Sequence, residues 1–192
     1  MKVLFYPTPS SSQIATIAQG LNVDISQYKG VEKRKCLESM KANFANNLTQ
    51  LYEETINQKK WVGCDIWDFF NSGKVDQICV KPDARNIMVI LTDGYLFHEN
   101  NKIKKDNAYS YILPQTLDNP QSSLIVDREG KLDKLEVLLL EVNPMQPSHR
   151  AKMIRVLEKW FDNMGVKRHV VAETDANLTN TQTIIQNFLN QQ

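Results

Sequence analysis

Two acidic turns hold the residues best suited to chemistry. In "NIMVILTDGYL", residues 86 to 96, five consecutive apolar residues from Ile87 to Leu91 stop at Thr92, Asp93 and Gly94. An acid at the C-terminal end of a buried parallel strand stands where open α/β sheets place their ligands. Gly94 supplies the freedom for the sharp turn that must follow. In "GCDIWDFF", residues 63 to 70, Asp65 stands at the start of a helical pattern. A hard cation such as Mg2+ takes oxygen ligands from one or two carboxylates, with hydroxyls and waters. Asp93 at a strand end and Asp65 at a helix start, brought together above a sheet, would supply part of that shell. Each turn also has a plain structural reading. Asp93-Gly94 is a common turn pair, and Asp65 can cap its helix and complement the dipole.

Other signatures of catalysis are missing. The chain has no G-x-G-x-x-G, Walker loop, G-x-S-x-G elbow or H-E-x-x-H. His98, His149 and His169 are isolated from one another, and none has a Ser or Cys that spacing would nominate as a nucleophile. His98 reads as a solvated loop residue. His169, beside Lys167 and Arg168, reads as an edge or solvent-facing strand residue. Cys36, Cys64 and Cys79 form an odd set without Cys-x-x-Cys or zinc spacing, which makes reduced structural thiols the expectation.

The elements that must position the two acids alternate. "KVLFY", residues 2 to 6, reads as a short strand ended by Pro7 and Pro9. Ile14, Ile17, Ala18 and Leu21 follow at helical spacing. Leu37, Met40, Phe44, Leu48 and Leu51 then mark the strongest helix, over residues 31 to 60. Ile66, Phe69 and Phe70 predict a short helix that Gly73 breaks. "NIMVILTDG", residues 86 to 94, and "LEVLLLEVNP", residues 135 to 144, predict two buried strands, adjacent, parallel and central. "YSYIL", residues 109 to 113, reads as an extra strand or edge hairpin within a polar stretch from 98 to 131. Met153, Val156, Leu157, Trp160 and Met164 line one face of a helix that Gly165 stops. "VKRHVVAET" predicts a third strand, and Leu178, Ile184, Ile185, Phe188 and Leu189 a last helix. This order predicts an α/β fold: a three-layer, doubly wound, mostly parallel sheet with helices on both faces. No linker or repeat divides residues 1 to 192, so one domain is expected.

With 192 residues the chain can bury a sizeable core. Its formal charge of +1 gives no sign of a nucleic-acid groove or a basic membrane-binding face. The longest apolar runs are about half of the ~20 residues a membrane helix needs. "MKVLFYPTPSSS" is too short in apolar residues for a signal peptide, which makes the cytoplasm the default compartment.

"GCDIWDFF" followed by "NIMVILTDGYL" resembles the later half of a von Willebrand factor A domain, over roughly residues 60 to 190. In that family a strand ending in apolar-Ser/Thr-Asp-Gly provides one ligand of a metal-ion-dependent adhesion site, and Asp93 and Gly94 match it. A Gly-Thr-Asp/Asn-Ile turn provides another ligand through its Thr. "GCDI" matches that turn, with Cys64 where the Thr belongs and Asp65 beside it. The family's first strand ends in Asp-x-Ser-x-Ser, and this chain has no such motif. The resemblance therefore implies either a chain truncated at its start, as a fragment of a longer secreted protein would be, or a degenerate site. A thiol is a poor Mg2+ ligand, so no cofactor is expected beyond a possible Mg2+. The implied function is a non-enzymatic, adhesion-type module. It would bind a protein partner around Asp93, Asp65 and Glu141, with residues 95 to 131 as a rim carrying Tyr95, Phe97, Tyr109 and Tyr111. An absent first strand also implies self-association through an open sheet edge. The alternative is a Mg2+-dependent hydrolase or phosphate-handling enzyme using Asp93 and Asp65, for which spacing nominates no third acid.

Overall fold

In a computed structural model the described residues are 3–4, 6, 11–58, 66–95, 132–144, 146–173 and 177–191. They fall into two compact units, Met1–Cys64 and Asp65–Gln192.

The first unit is a helical pair. Ser11 caps α1 (Ser12–Gly20), its side chain accepting from Ile14 N–H. The apolar stripe read in the sequence becomes α2 (Gly30–Gln58), a helix of 29 residues. Ile14 and Leu21 bury against Leu51, and Phe44 and Leu48 pack around them. Gln58 Nε2 donates to Ser11 Oγ at 3.0 Å, tying the end of α2 to the start of α1. The strand expected at residues 2 to 6 is corrected in its described part: Val3, Leu4 and Tyr6 form no strand. Val3 N–H donates instead to Asn22 Oδ1 at 2.9 Å, so a side chain takes the place of a ladder partner.

The second unit is α/β. Two short helices, α3 (Ile66–Asn71) and α4 (Lys74–Cys79), meet at Gly73, whose φ of 77° ends one and starts the other. The strands β1 (Asn86–Leu91), β2 (Leu135–Val142) and β3 (Arg168–Glu173) form a parallel sheet in the order β1-β2-β3. A 3-10 turn (Pro147–His149) leads into α5 (Arg150–Asn163), and α6 (Leu178–Asn190) follows β3.

Side chains alternate along each strand. Leu138, Leu140 and Ala172 pack with Phe188 of α6, joined by Ile87, Ile184 and Ile185. From α5, Phe161 lies 5.6 Å from the ring of His169 in β3, and Trp160 lies 5.3 Å from Phe70 of α3. His169 thus lies on a strand at the edge of the described sheet, one of the two readings its basic neighbours suggest, but not on a solvent face: its side chain is 16% exposed. Arg168, the adjacent strand residue, points to the opposite face and says nothing about this one.

The two strands expected to be central differ. β2 is buried at every position except the half-buried Glu141. β1 is adjacent and parallel to it, as expected, but no strand among the described residues pairs with its outer side. On one face of β1, Val89 and Leu91 are 47% and 57% exposed, so five apolar residues in a row did not guarantee cover on both faces. The "YSYIL" expectation lies outside the described residues.

Candidate functional site

The C-terminal end of the sheet collects the residues that the sequence nominated and the structure describes. β1 ends in a tight double turn. Gly94 N–H donates to Thr92 Oγ1 at 3.2 Å, and Tyr95 N–H donates to Asp93 Oδ1 at 3.0 Å. The exposed Asp93 thus makes the side-chain-to-backbone bond that the plain turn reading requires. Its carbonyl accepts from Asn143 N–H at 3.1 Å, fastening the turn to the end of β2. Gly94 is buried with φ of 95°, and a Cβ there would strike Met153 Sδ and come within 3.1 Å of Val142 Cγ1. Both the backbone and the packing of α5 therefore demand glycine.

Glu141 is the only non-glycine with positive φ among the described residues, at 69°. Leu139 pairs with Val171 and Val142 with Glu173, so β2 carries one more residue than β3 across this step. Glu141 lies in that bulge. A residue held in the left-handed region, as Glu141 is, costs on the order of 1–3 kcal/mol, and such residues concentrate at binding sites. Around it, Arg150 Nε lies 3.3 Å from Glu173 Oε2, and Tyr95 Oη lies 3.4 Å from His149 Nδ1. Sequence reading left His149 isolated, because 54 residues separate it from Tyr95. Cys64 and Asp65, the other nominated residues, lie outside the described residues, as do Phe97, Tyr109 and Tyr111. Among the described residues no three of His, Cys, Asp and Glu gather in a way that would hold a metal.

The opposite end of the sheet holds a second cluster that sequence reading missed. Glu136, on β2, is 3% exposed and lies between Ile87 and Arg168 in register. Arg85 grips it with two parallel bonds, Nε to Oε1 and Nη2 to Oε2, both at 3.0 Å. Arg168 donates to it through Nε at 3.1 Å and also through Nη2, and Lys167 Nζ stands 3.8 Å away. The hydrogen bond from Arg85, reinforced by Arg168, overcomes burial and holds the Glu136 carboxyl down at about 2. The guanidinium of Arg85 is raised in return. The same arginines close the end of α6. Arg85 donates to the carbonyls of Phe188, Leu189 and Gln191, and Arg168 donates to that of Phe188 while lying 4.0 Å over its ring. Cations at a helix C-terminus satisfy its last carbonyls and its dipole together. The readable signal was an acid inside "LEVLLLEV", since a charge in an otherwise apolar strand must be paired.

Comparison with protein-family models, curated proteins and solved structures finds no match to this chain.

Proposed function

We propose that this chain is a non-enzymatic protein-binding module of von Willebrand factor A-like, three-layer, doubly wound architecture. Its recognition surface is the C-terminal end of the sheet around Asp93, Gly94 and Glu141, and the outer edge of β1 takes a strand from another chain. One observation carries the reading. β1 is an apolar strand of a parallel sheet, yet its outer side is unpaired among the described residues while Val89 and Leu91 are half exposed. Parallel strands are ordinarily covered on both faces, and an open apolar edge is a template for strand addition. An edge position for β1 departs from the sheet the resemblance implies, in which a further strand lies beside it. The proposal assigns that place to the partner.

The test supplies the missing element. A synthetic peptide with the pattern of an apolar strand ending in Asp-x-Ser-x-Ser is added to the full chain, and amide hydrogen exchange is followed. Protection of residues 86 to 91 is expected, and Val89→Lys with Leu91→Lys should remove it. Unchanged exchange along β1 at saturating peptide, or protection that ignores both substitutions, overturns the reading.

A further inference from the structure

The exposed face of α2 carries a pattern that α1 does not use. At 1.5 Å per residue α2 is about 43 Å long, against about 13 Å for α1. Its core stripe runs through Phe44, Leu48 and Leu51. At 100° per residue, about a third of a turn away, lie Val31, Arg34, Glu38, Ala42, Ala45, Thr49, Tyr52 and Ile56, all exposed. The large apolar members stand at the two ends: Val31 is 70% exposed, Tyr52 54% and Ile56 69%. The small members, Ala42 and Ala45, stand in the middle. The apolar residues are interrupted by Arg34 and Glu38, so the choice of occupant for this face rests on charge.

Charge divides along the same helix. Residues 30 to 44 carry four basic side chains (Lys33, Arg34, Lys35, Lys41) and two acidic ones (Glu32, Glu38). Residues 45 to 58 carry two acidic side chains, Glu53 and Glu54, and no basic one before Lys59 and Lys60, which lie outside the described residues. A helix basic in its first half and acidic in its second is complementary to a copy of itself running the other way. A parallel copy would oppose like charges instead.

We propose that two copies of this chain associate through α2, antiparallel about a two-fold axis beside Asn43 and Phe44. That axis sets Ala42 against the partner's Ala45, so the helices approach closely at the centre. It sets Val31 against the partner's Ile56 at each end. Arg34 meets the face of the partner's Tyr52, and Lys35 meets the partner's Glu53. Arg34 Nε already reaches Glu38 Oε1 at 3.3 Å across one helical turn, so its guanidinium is held on this face. The arrangement is isologous, as two-fold interfaces are. It is independent of the β1 edge and does not rest on the proposed function.

Analytical ultracentrifugation of the full chain across concentration is the test. The mass should rise from one copy to two, and the dissociation constant should rise as salt is added, because the contacts between Lys35 and the partner's Glu53 are screened. Ala45→Arg, at an exposed position of a good helix, should remove the dimer with far-UV circular dichroism unchanged. Lys35→Glu and Glu53→Lys should each raise the dissociation constant, by about threefold to tenfold for the two exposed pairs each disrupts. The double variant should restore it, and an equimolar mixture of the two single variants should form a heterodimer. A chain that stays monomeric at every concentration overturns the proposal. So does association that survives Ala45→Arg, or association that is lost instead on Val89→Lys with Leu91→Lys, which belongs to the β1 edge.

Discussion

The two ends of the sheet treat their acids in opposite ways. At the N-terminal end a single carboxylate, Glu136, is buried beneath two arginines and a lysine, and the arginines also finish the carbonyls of α6. At the C-terminal end Asp93 and Glu173 are exposed, Glu141 is half buried, and the backbone of Glu141 is held in an unfavourable conformation. A charge that is buried and multiply bonded cannot lose a partner cheaply, because removing any one strands the others. Acids left at the surface beside a bulge contribute little to packing and are open to a ligand. The difference separates a structural cluster from a candidate recognition surface, although both are built from carboxylates and arginines.

The largest effect should come from Glu136→Gln, which leaves Arg85 and Arg168 without their shared anion. Destabilisation on the order of 3 kcal/mol is expected from the denaturant midpoint. A change below 0.5 kcal/mol, the size of an ordinary surface substitution, would break the contrast.

The same carboxylate sets an acid limb. Its folded value of about 2 lies below its ordinary 4.5. A depressed acid adds stability that is present above its ordinary value and lost as pH falls from about 4.5 toward 2. The loss is on the order of 3 kcal/mol. Thermal melts between pH 6 and pH 2 should show this limb, and Glu136→Gln should flatten it.

Gly94→Ala should cost ~2 kcal/mol, the sum of positive-φ strain and collision with Met153. Combining it with Met153→Ala sharpens the comparison. The Gly94→Ala penalty should shrink in that background but not vanish, because the backbone part remains.

At Glu141 the sign reverses. Glu141→Gly relieves the left-handed strain and should stabilise by ~1 kcal/mol. A loss of stability would mean that the side chain is structural and that the two ends of the sheet are alike.

The smallest effect is expected at Asp93. Asp93→Ala removes one exposed bond to Tyr95 N–H, and ~0.5–1 kcal/mol should be lost. A loss above 2 kcal/mol would place Asp93 with Glu136 among the buried structural acids.

Local signals were enough for most elements. The period of Met153, Val156, Leu157, Trp160 and Met164 marked α5, and all five are buried. Gly165, with φ of 69°, ended the helix as read. β1, β2 and β3 were legible as apolar runs because a strand's side-chain pattern is written in consecutive residues. Asp93-Gly94 was legible as a turn for the same reason. What the sequence did not decide was which faces are covered. "NIMVIL" reads the same where its faces are covered as where they are not, and only the packing of the sheet leaves Val89 and Leu91 exposed. Nor could it place Glu136 with Arg85 and Arg168, which stand 51 and 32 residues away from it. The bulge at Glu141 arises from a mismatch in count between two strands and exists in neither strand alone. Periodicity is a property of neighbours along the chain. Pairing, cover and charge compensation are properties of neighbours in space, and those are set only when the sheet closes against its helices.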